Sequence, residues 1–279
     1  MTHRYRLPRT AALFLAALPF APLLTPAPAA AAEQLEVACT SMDVELAYRL
    51  GRDILAAVGD HASTTAVYVH DRVTDTSCEV GADRPYDSAS VVKVTLLGAL
   101  LLDAEKQKRK LTTRERALAR SMITASDNAS TAALWQQLGT ARVQRFLDAA
   151  GMTATSPGEG GYWGLTRITA RDQGRLLDLL AGANDVLGDS SRAYALGLMG
   201  EVIPAQRWGT PAGAPAGTAV HLKNGWLPRA AHGWRVHSVG AFTGPGRDYT
   251  ITVLTQDNAA MNDGVTTIEA VSRAVHRHL

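Results

Sequence analysis

The sequence predicts a mixed chain of the α/β (α+β) class: a five-stranded antiparallel sheet with the terminal helices on one face and an all-helical lobe on the other. Three observations carry this prediction. Two strand-like segments near the start are followed, from Ser90, by a long block of helical periodicity. Three more strand-like segments come only after that block, and a helix-like segment stands at each end of the order. The boundaries read as an α/β lobe over 33–85 and 215–279 and an all-α lobe over 86–214.

The first segment is an address. Arg4, Arg6 and Arg9 precede an apolar run, Ala11–Leu24, and a Pro/Ala-rich end closes on Ala30-Ala31-Ala32. A basic start, a short apolar middle and a small-residue end define a secretory signal peptide over 1–32, cleaved near Ala32. The run is too short and too broken by proline to span a bilayer, so the expected product is secreted, extracellular and without a stable membrane span. The chain's two cysteines, Cys39 and Cys78, are then expected to form one disulfide.

The elements follow in order. Ser41 reads as the cap of a helix over Met42–Val58, whose apolar face is Val44, Leu46, Ala47, Leu50, Ile54, Leu55 and Val58. Thr64–His70 and Ser77–Gly81 read as a hairpin of two strands. Helices are expected over Ser90–Leu102, Arg114–Thr124, Asn128–Leu138, Ala141–Ala150 (capped by Thr140), Ala170–Ala181 (capped by Thr169) and Ser191–Glu201. Met152–Leu165 holds three turn-prone clusters and no periodicity, so it reads as a loop. After a Pro/Gly/Ala connector at Thr210–Thr218 come strands over Ala219–Lys223, Trp234–Phe242 and Tyr249–Thr255 and a final amphipathic helix over Met261–His278.

Composition closes several functional classes. With 28 Lys+Arg against 26 Asp+Glu the net charge is +2, far from the basic surface that nucleic-acid binding requires. His61, His70, His221, His232 and His237 have no metal-ligand spacing, so neither a metal nor another cofactor is expected. A Gly-x-Ser-x-Gly elbow and a Gly-rich phosphate loop are both absent from the sequence. Lysine is scarce: Lys93, Lys106, Lys108, Lys110 and Lys223 are all of them, which makes each more informative.

Three short motifs carry the chemistry. In Ser90-Val91-Val92-Lys93 the spacing of three puts hydroxyl and amine on one helix face. A serine hydroxyl is a poor nucleophile without an adjacent base, and a lysine that loses its proton on burial can be that base. Ser126-Asp127-Asn128 stands at a helix start, and Lys223-Asn224-Gly225 at the end of a strand. Singly, these are an ordinary helix start, a good cap and a turn. Together, in this order and in these contexts, they match the Ser-x-x-Lys, Ser-Asp-Asn and Lys-Thr-Gly set of serine β-lactamases and penicillin-binding proteins.

The chain therefore resembles that superfamily over nearly all of Met42–Leu279, and most closely its class A β-lactamase branch, with Met122-Ile123-Thr124-Ala125-Ser126-Asp127-Asn128-Ala129-Ser130 especially alike. The resemblance implies a β-lactamase/transpeptidase-like fold and an acyl-enzyme mechanism of the kind that underlies antibiotic resistance. Ser90 would be acylated and Lys93 would take its proton. Ser126 would protonate the leaving nitrogen. Asn128 would hold Lys93 and the substrate amide, with Asp127 structural. Lys223 would supply positive potential for a substrate carboxylate, with Asn224 and Gly225 beside it. The backbone N–H groups of Ser90 and Trp226 would form the oxyanion hole.

Two departures bear on function. Asn224 replaces the Thr of the third motif, and bulky Trp226 follows it. Class A enzymes also carry a Glu-x-x-Leu-Asn string in the loop, whose Glu orients the deacylating water. Here Glu159, the only carboxylate between Gly151 and Arg171, is the one candidate for the deacylation base, and the reading preferred over it is a solvated residue in a Gly-rich loop. The expected function is a secreted, monomeric serine hydrolase that opens β-lactams through acyl-Ser90. One alternative is a D-alanyl-D-alanine carboxypeptidase-like enzyme, acting on a peptidoglycan-like peptide and slow to release β-lactams. Another is a non-catalytic protein that binds a cell-wall ligand.

Overall fold

A computed structural model describes residues 35–279. The expected signal peptide lies outside the described residues. Leu35–Leu279 pack as one unit. The strands are β1 (Ala38–Thr40), β2 (Thr64–Asp71), β3 (Thr76–Val80), β6 (Ala219–Pro228), β7 (Trp234–Gly244) and β8 (Arg247–Asn258), in the order β1-β3-β2-β8-β7-β6. Every neighbouring pair is antiparallel. A separate two-stranded piece joins β4 (Tyr86–Asp87) to β5 (Arg167–Ile168).

The sheet thus has six strands rather than the expected five. The extra strand, β1, is three residues long and carries no readable period. Its register is set by Cys39 lying directly opposite Cys78, and the two form the expected disulfide. The bond closes a separation of 39 residues, which corresponds to about 4 kcal/mol of stabilisation through restriction of the unfolded chain. Replacing both cysteines with alanine is expected to lower the urea midpoint accordingly, and an unchanged midpoint contradicts the pairing.

The sheet is buried on both faces. Val67, Val69, Val236, Phe242, Ile251 and Val253 face Leu50, Ile54 and Val58 of α1 (Val44–Gly59) and Ile268, Val271 and Val275 of α7 (Met261–His276). Ala66, Val239 and Leu254 face the helical lobe. The cap of α1 is Asp43, whose carboxylate accepts from Leu46 N at 3.0 Å, and not Ser41 as expected. Ser41 Oγ instead accepts from Asp43 N one turn earlier.

The helical lobe is built around α2 (Val92–Lys106), which is apolar all round and packs on α3 (Thr113–Thr124), α4 (Asn128–Ala149) and α6 (Asp189–Gly200). The two helices expected over 128–150 form one element broken at Gly139, whose φ of 67° interrupts the helix. α5 (Ala170–Ala181) starts on its expected cap: Thr169 Oγ1 accepts from Asp172 N. β6, β7 and β8 run further than their apolar cores suggested, because antiparallel pairing carries polar ends along.

Candidate active site

Ser90 lies in a single 3-10 turn, Ala89–Val91, that leads into α2. The helix proper begins two residues later than expected, at Val92. Ala89 holds a φ of 47°, a conformation that costs a non-glycine residue free energy and persists only when its surroundings fix it. They do so from three sides. Asp87 pairs with Arg167, Ser88 N donates to Thr166 O at 2.9 Å, and His237 Nε2 donates to Asp87 O at 2.9 Å. His237 Nδ1 accepts from Thr255 N, which fixes the neutral tautomer, and complete burial pushes the imidazole down to about 4.

Lys93 is fully buried one turn beyond Ser90. Its Nζ lies 2.9 Å from Ser90 Oγ, 2.7 Å from Ser126 O, 3.0 Å from Ser126 Oγ and 2.8 Å from Asn128 Oδ1. An ammonium has three protons and cannot donate to all four. A neutral amine, with two protons and one lone pair, can donate to Ser126 O and Asn128 Oδ1 and accept from one of the two hydroxyls, so the cage accommodates the unprotonated form. Burial pushes the amine down to about 8, against the upward pull of Asp127.

Ser126 sits between α3 and α4 at a φ of 59°, a second strained residue in the cluster. Asp127 caps α4 by accepting from Ser130 N, and the Ser130 hydroxyl first, with that main-chain hydrogen bond second, holds its carboxyl below the usual range. Lys223 arrives from β6, fully buried, with Nζ 3.0 Å from Ser126 Oγ and 2.9 Å from Asn224 O. Burial first, and the nearby charge of Lys93 second, push it down to about 7. One hydroxyl, that of Ser126, thus touches both amines.

Gly225 explains how β6 comes so close. A Cβ there would lie 2.8 Å from Ser90 N, 2.9 Å from Val91 N and 3.1 Å from Ser88 O, all main-chain atoms. Only glycine lets this strand, at the sheet's edge, run against the Ser90 turn. Neighbouring side chains on a strand point to opposite faces. Asn224 is accordingly turned away from the cluster, and its Nδ2 donates to Gln206 O and Trp208 O. The Trp226 ring lies 5.9 Å from that of Trp208.

The loop between α4 and α5 brings no carboxylate to the cluster. Glu159 is exposed in a short turn, and its side chain has no polar partner among the described residues. Instead the ring of Trp163 stands 4.9 Å from Lys93 Nζ, and Gly164 O accepts from Ser88 Oγ. Sequence reasoning placed Ser90, Lys93, Ser126, Asn128 and Lys223 together, and the structure does bring them together. It did not single out Trp163, His237 or Asp87. A tryptophan in a Gly-rich loop, in a chain with only five, was the available signal for the first.

Known proteins share this fold. An ancestral (GNCA) class A beta-lactamase superposes with a TM-score of 0.70 over 82% of this chain and 100% of its own, at 21% identity. The structure of L2 complexed with relebactam gives 0.68 over 81% and 98%, at 17% identity. The "Putative lipoprotein LppW" of Mycobacterium tuberculosis is 28% identical over 212 residues, 74% of this chain. The match spans 66% of that relative's length. The sequence model of the beta-lactamase enzyme family matches residues 49–115 and 112–279, and the chain belongs to that family.

Proposed function

We propose that the protein is a serine acyl hydrolase that takes the carbonyl of a β-lactam onto Ser90. The observation that carries this reading is the buried Lys93 amine held between the Ser90 and Ser126 hydroxyls, with Lys223 on the far side of Ser126. Lys93 as free amine takes the Ser90 proton while Oγ forms the new C–O bond. The main-chain N–H groups of Ser90 and Trp226 receive the developing oxyanion. The C–N bond then breaks, and the Ser126 hydroxyl gives its proton to the leaving nitrogen. Ser126 is re-protonated from the adjacent ammonium. Lys223 in its charged form, beside Gly225 on the strand edge, attracts the substrate carboxylate, and Asn128 holds Lys93 and the acyl amide. No cofactor takes part.

Release of the acyl group needs a base within reach of a water at the ester. The exposed, unpartnered Glu159 and the Trp163 ring over Lys93 support a second reading, that of a D-alanyl-D-alanine peptidase-like enzyme that sheds β-lactams slowly. Intact-mass measurement of the protein with a penicillin separates the two. A transient adduct with product accumulation supports the hydrolase, and a persistent adduct supports the peptidase-like enzyme. No adduct in either the parent or the Ser90→Ala protein contradicts both and leaves a protein that only binds its ligand.

A further inference from the structure

Three guanidinium groups, those of Arg167, Arg229 and Arg235, converge on the single carboxylate of Asp87, three residues before Ser90. Arg167 Nη1 bonds Asp87 Oδ1 at 2.9 Å. Arg229 Nε and Arg235 Nη2 stand 3.5 Å from Oδ2, as ion pairs without a hydrogen bond. Asp87 is buried and cannot satisfy three cations. The Arg229 guanidinium is exposed and makes no hydrogen bond among the described residues. Arg235 is only 3% exposed, and its Nε is buried with no partner. Burial accordingly holds this guanidinium below its usual value. The other acid within electrostatic reach of Arg235 is Asp257, which is engaged by Thr64 and His232. Arg235 Nη1 donates to Ala231 O and Gly233 O, and Arg167 Nη2 to Pro85 O, so the cluster carries uncompensated positive charge whose solvent-facing part is the Arg229 guanidinium with Arg167 beside it.

Its position relative to Ser90 says which part of a ligand it meets. Lys223 precedes Gly225 on β6, on the side where Ser126 stands, while Pro228 and Arg229 follow it on the other side. Asp87 stands three positions before Ser90, with Ser88 and Ala89 turned rather than extended, so their Cα atoms lie within about 10 Å of each other. With Ser126 and Lys223 on the leaving-group side, the arginines lie on the acyl side.

We propose that Arg229 and Arg167, backed by the buried charge of Arg235, form a subsite for a carboxylate on the acyl portion of the substrate, so that the protein prefers acyl donors with an anionic side chain. This deepens the function proposed above and rests on it for the identity of the acyl end. The binding itself is read without turnover. The Ser90→Ala protein is titrated calorimetrically with two matched penicillins, one with a glutaryl side chain and one with its glutaramoyl amide.

The carboxylate form is expected to bind about tenfold more tightly in dilute buffer, as one partly exposed charge-assisted pair gives. Raised salt is expected to reduce the preference. Adding Arg229→Gln to the Ser90→Ala protein is expected to abolish it, whereas Arg145→Gln, on an exposed position of α4, is expected to retain it. Equal binding of the two penicillins, or a preference that survives Arg229→Gln, overturns the subsite. The acylation assay on the parent protein fails separately. Adducts formed with no side-chain preference leave the hydrolase standing without the subsite. A binding preference without adducts leaves the subsite and removes the hydrolase.

Discussion

Lys93→Met is expected to slow acylation by a penicillin about 10²- to 10⁴-fold, the usual contribution of a positioned general base. Methionine has nearly the same length and suits the apolar surroundings of α2, so circular dichroism is expected to remain that of the parent. What is lost is the one group that touches Ser90 Oγ, Ser126 Oγ and Asn128 Oδ1 together. Stopped-flow acylation reads the effect, and a rate within threefold of the parent would remove Lys93 from the mechanism.

The same amine sets a pH profile. Lys93 lies at about 8 and Lys223 at about 7, and both touch Ser126 Oγ, so their protons come off as a coupled pair. Below about 7 both amines are charged and no free base faces Ser90. Above about 8 neither is charged, and the attraction for the substrate carboxylate is gone. Between those values the pair holds one proton. The reactive form is the one in which Lys223 carries it and Lys93 is free, reached by shifting the proton across Ser126 Oγ although Lys93 is the stronger base. The acylation rate is therefore expected to rise with pH, peak between 7 and 8 and fall again. A flat profile across that range contradicts the assignment.

Gly225→Ala is the second large effect. The added methyl carbon meets main-chain atoms of Ser88, Ser90 and Val91 at 2.8–3.1 Å, so either β6 or the turn must move. Both of the N–H groups assigned to the oxyanion belong to these two pieces, and losing such a donor costs about 10²–10³ in rate. The variant is expected to acylate slower by that factor and to melt at a lower temperature. Gly59→Ala is the control. Nothing lies within 4 Å of its Cβ position, and it ends α1, where alanine is expected to stabilise by up to about 1 kcal/mol. Parent-like acylation in Gly225→Ala contradicts the close approach of strand and turn.

The parts of the fold that were legible are those with a strong period or a strong cap. Leu50, Ile54 and Val58 fix one face of α1, and Thr169 fixes the start of α5. What escaped was set by tertiary contact. β1 exists because Cys39 meets Cys78, and β4 and β5 are two residues each, held by one another across the chain. Ser41 and Asp43 are equally good caps by residue type, and only the backbone geometry selects the second. In the site, spacing could place Ser90 beside Lys93, because one helical turn does that. The convergence of Ser126 and Lys223 on the same amine cage depended on resemblance, since nothing local joins them. Arg229 and Arg235 follow the third motif in sequence, where surface placement is expected of both, and Arg235 is instead buried, while Trp163 and Arg167 belong to no motif and meet the site only once the loop is folded.

The claim on which the rest depends is that the Ser90 hydroxyl is the atom that becomes acylated. Brief exposure to a penicillin, acid quench, proteolysis and peptide mapping by mass spectrometry test it directly. The penicilloyl mass is expected on the peptide that contains Ser90, with no modified peptide in the Ser90→Ala protein. The same mass on Ser126 or on a lysine, or its persistence in Ser90→Ala, would contradict the account.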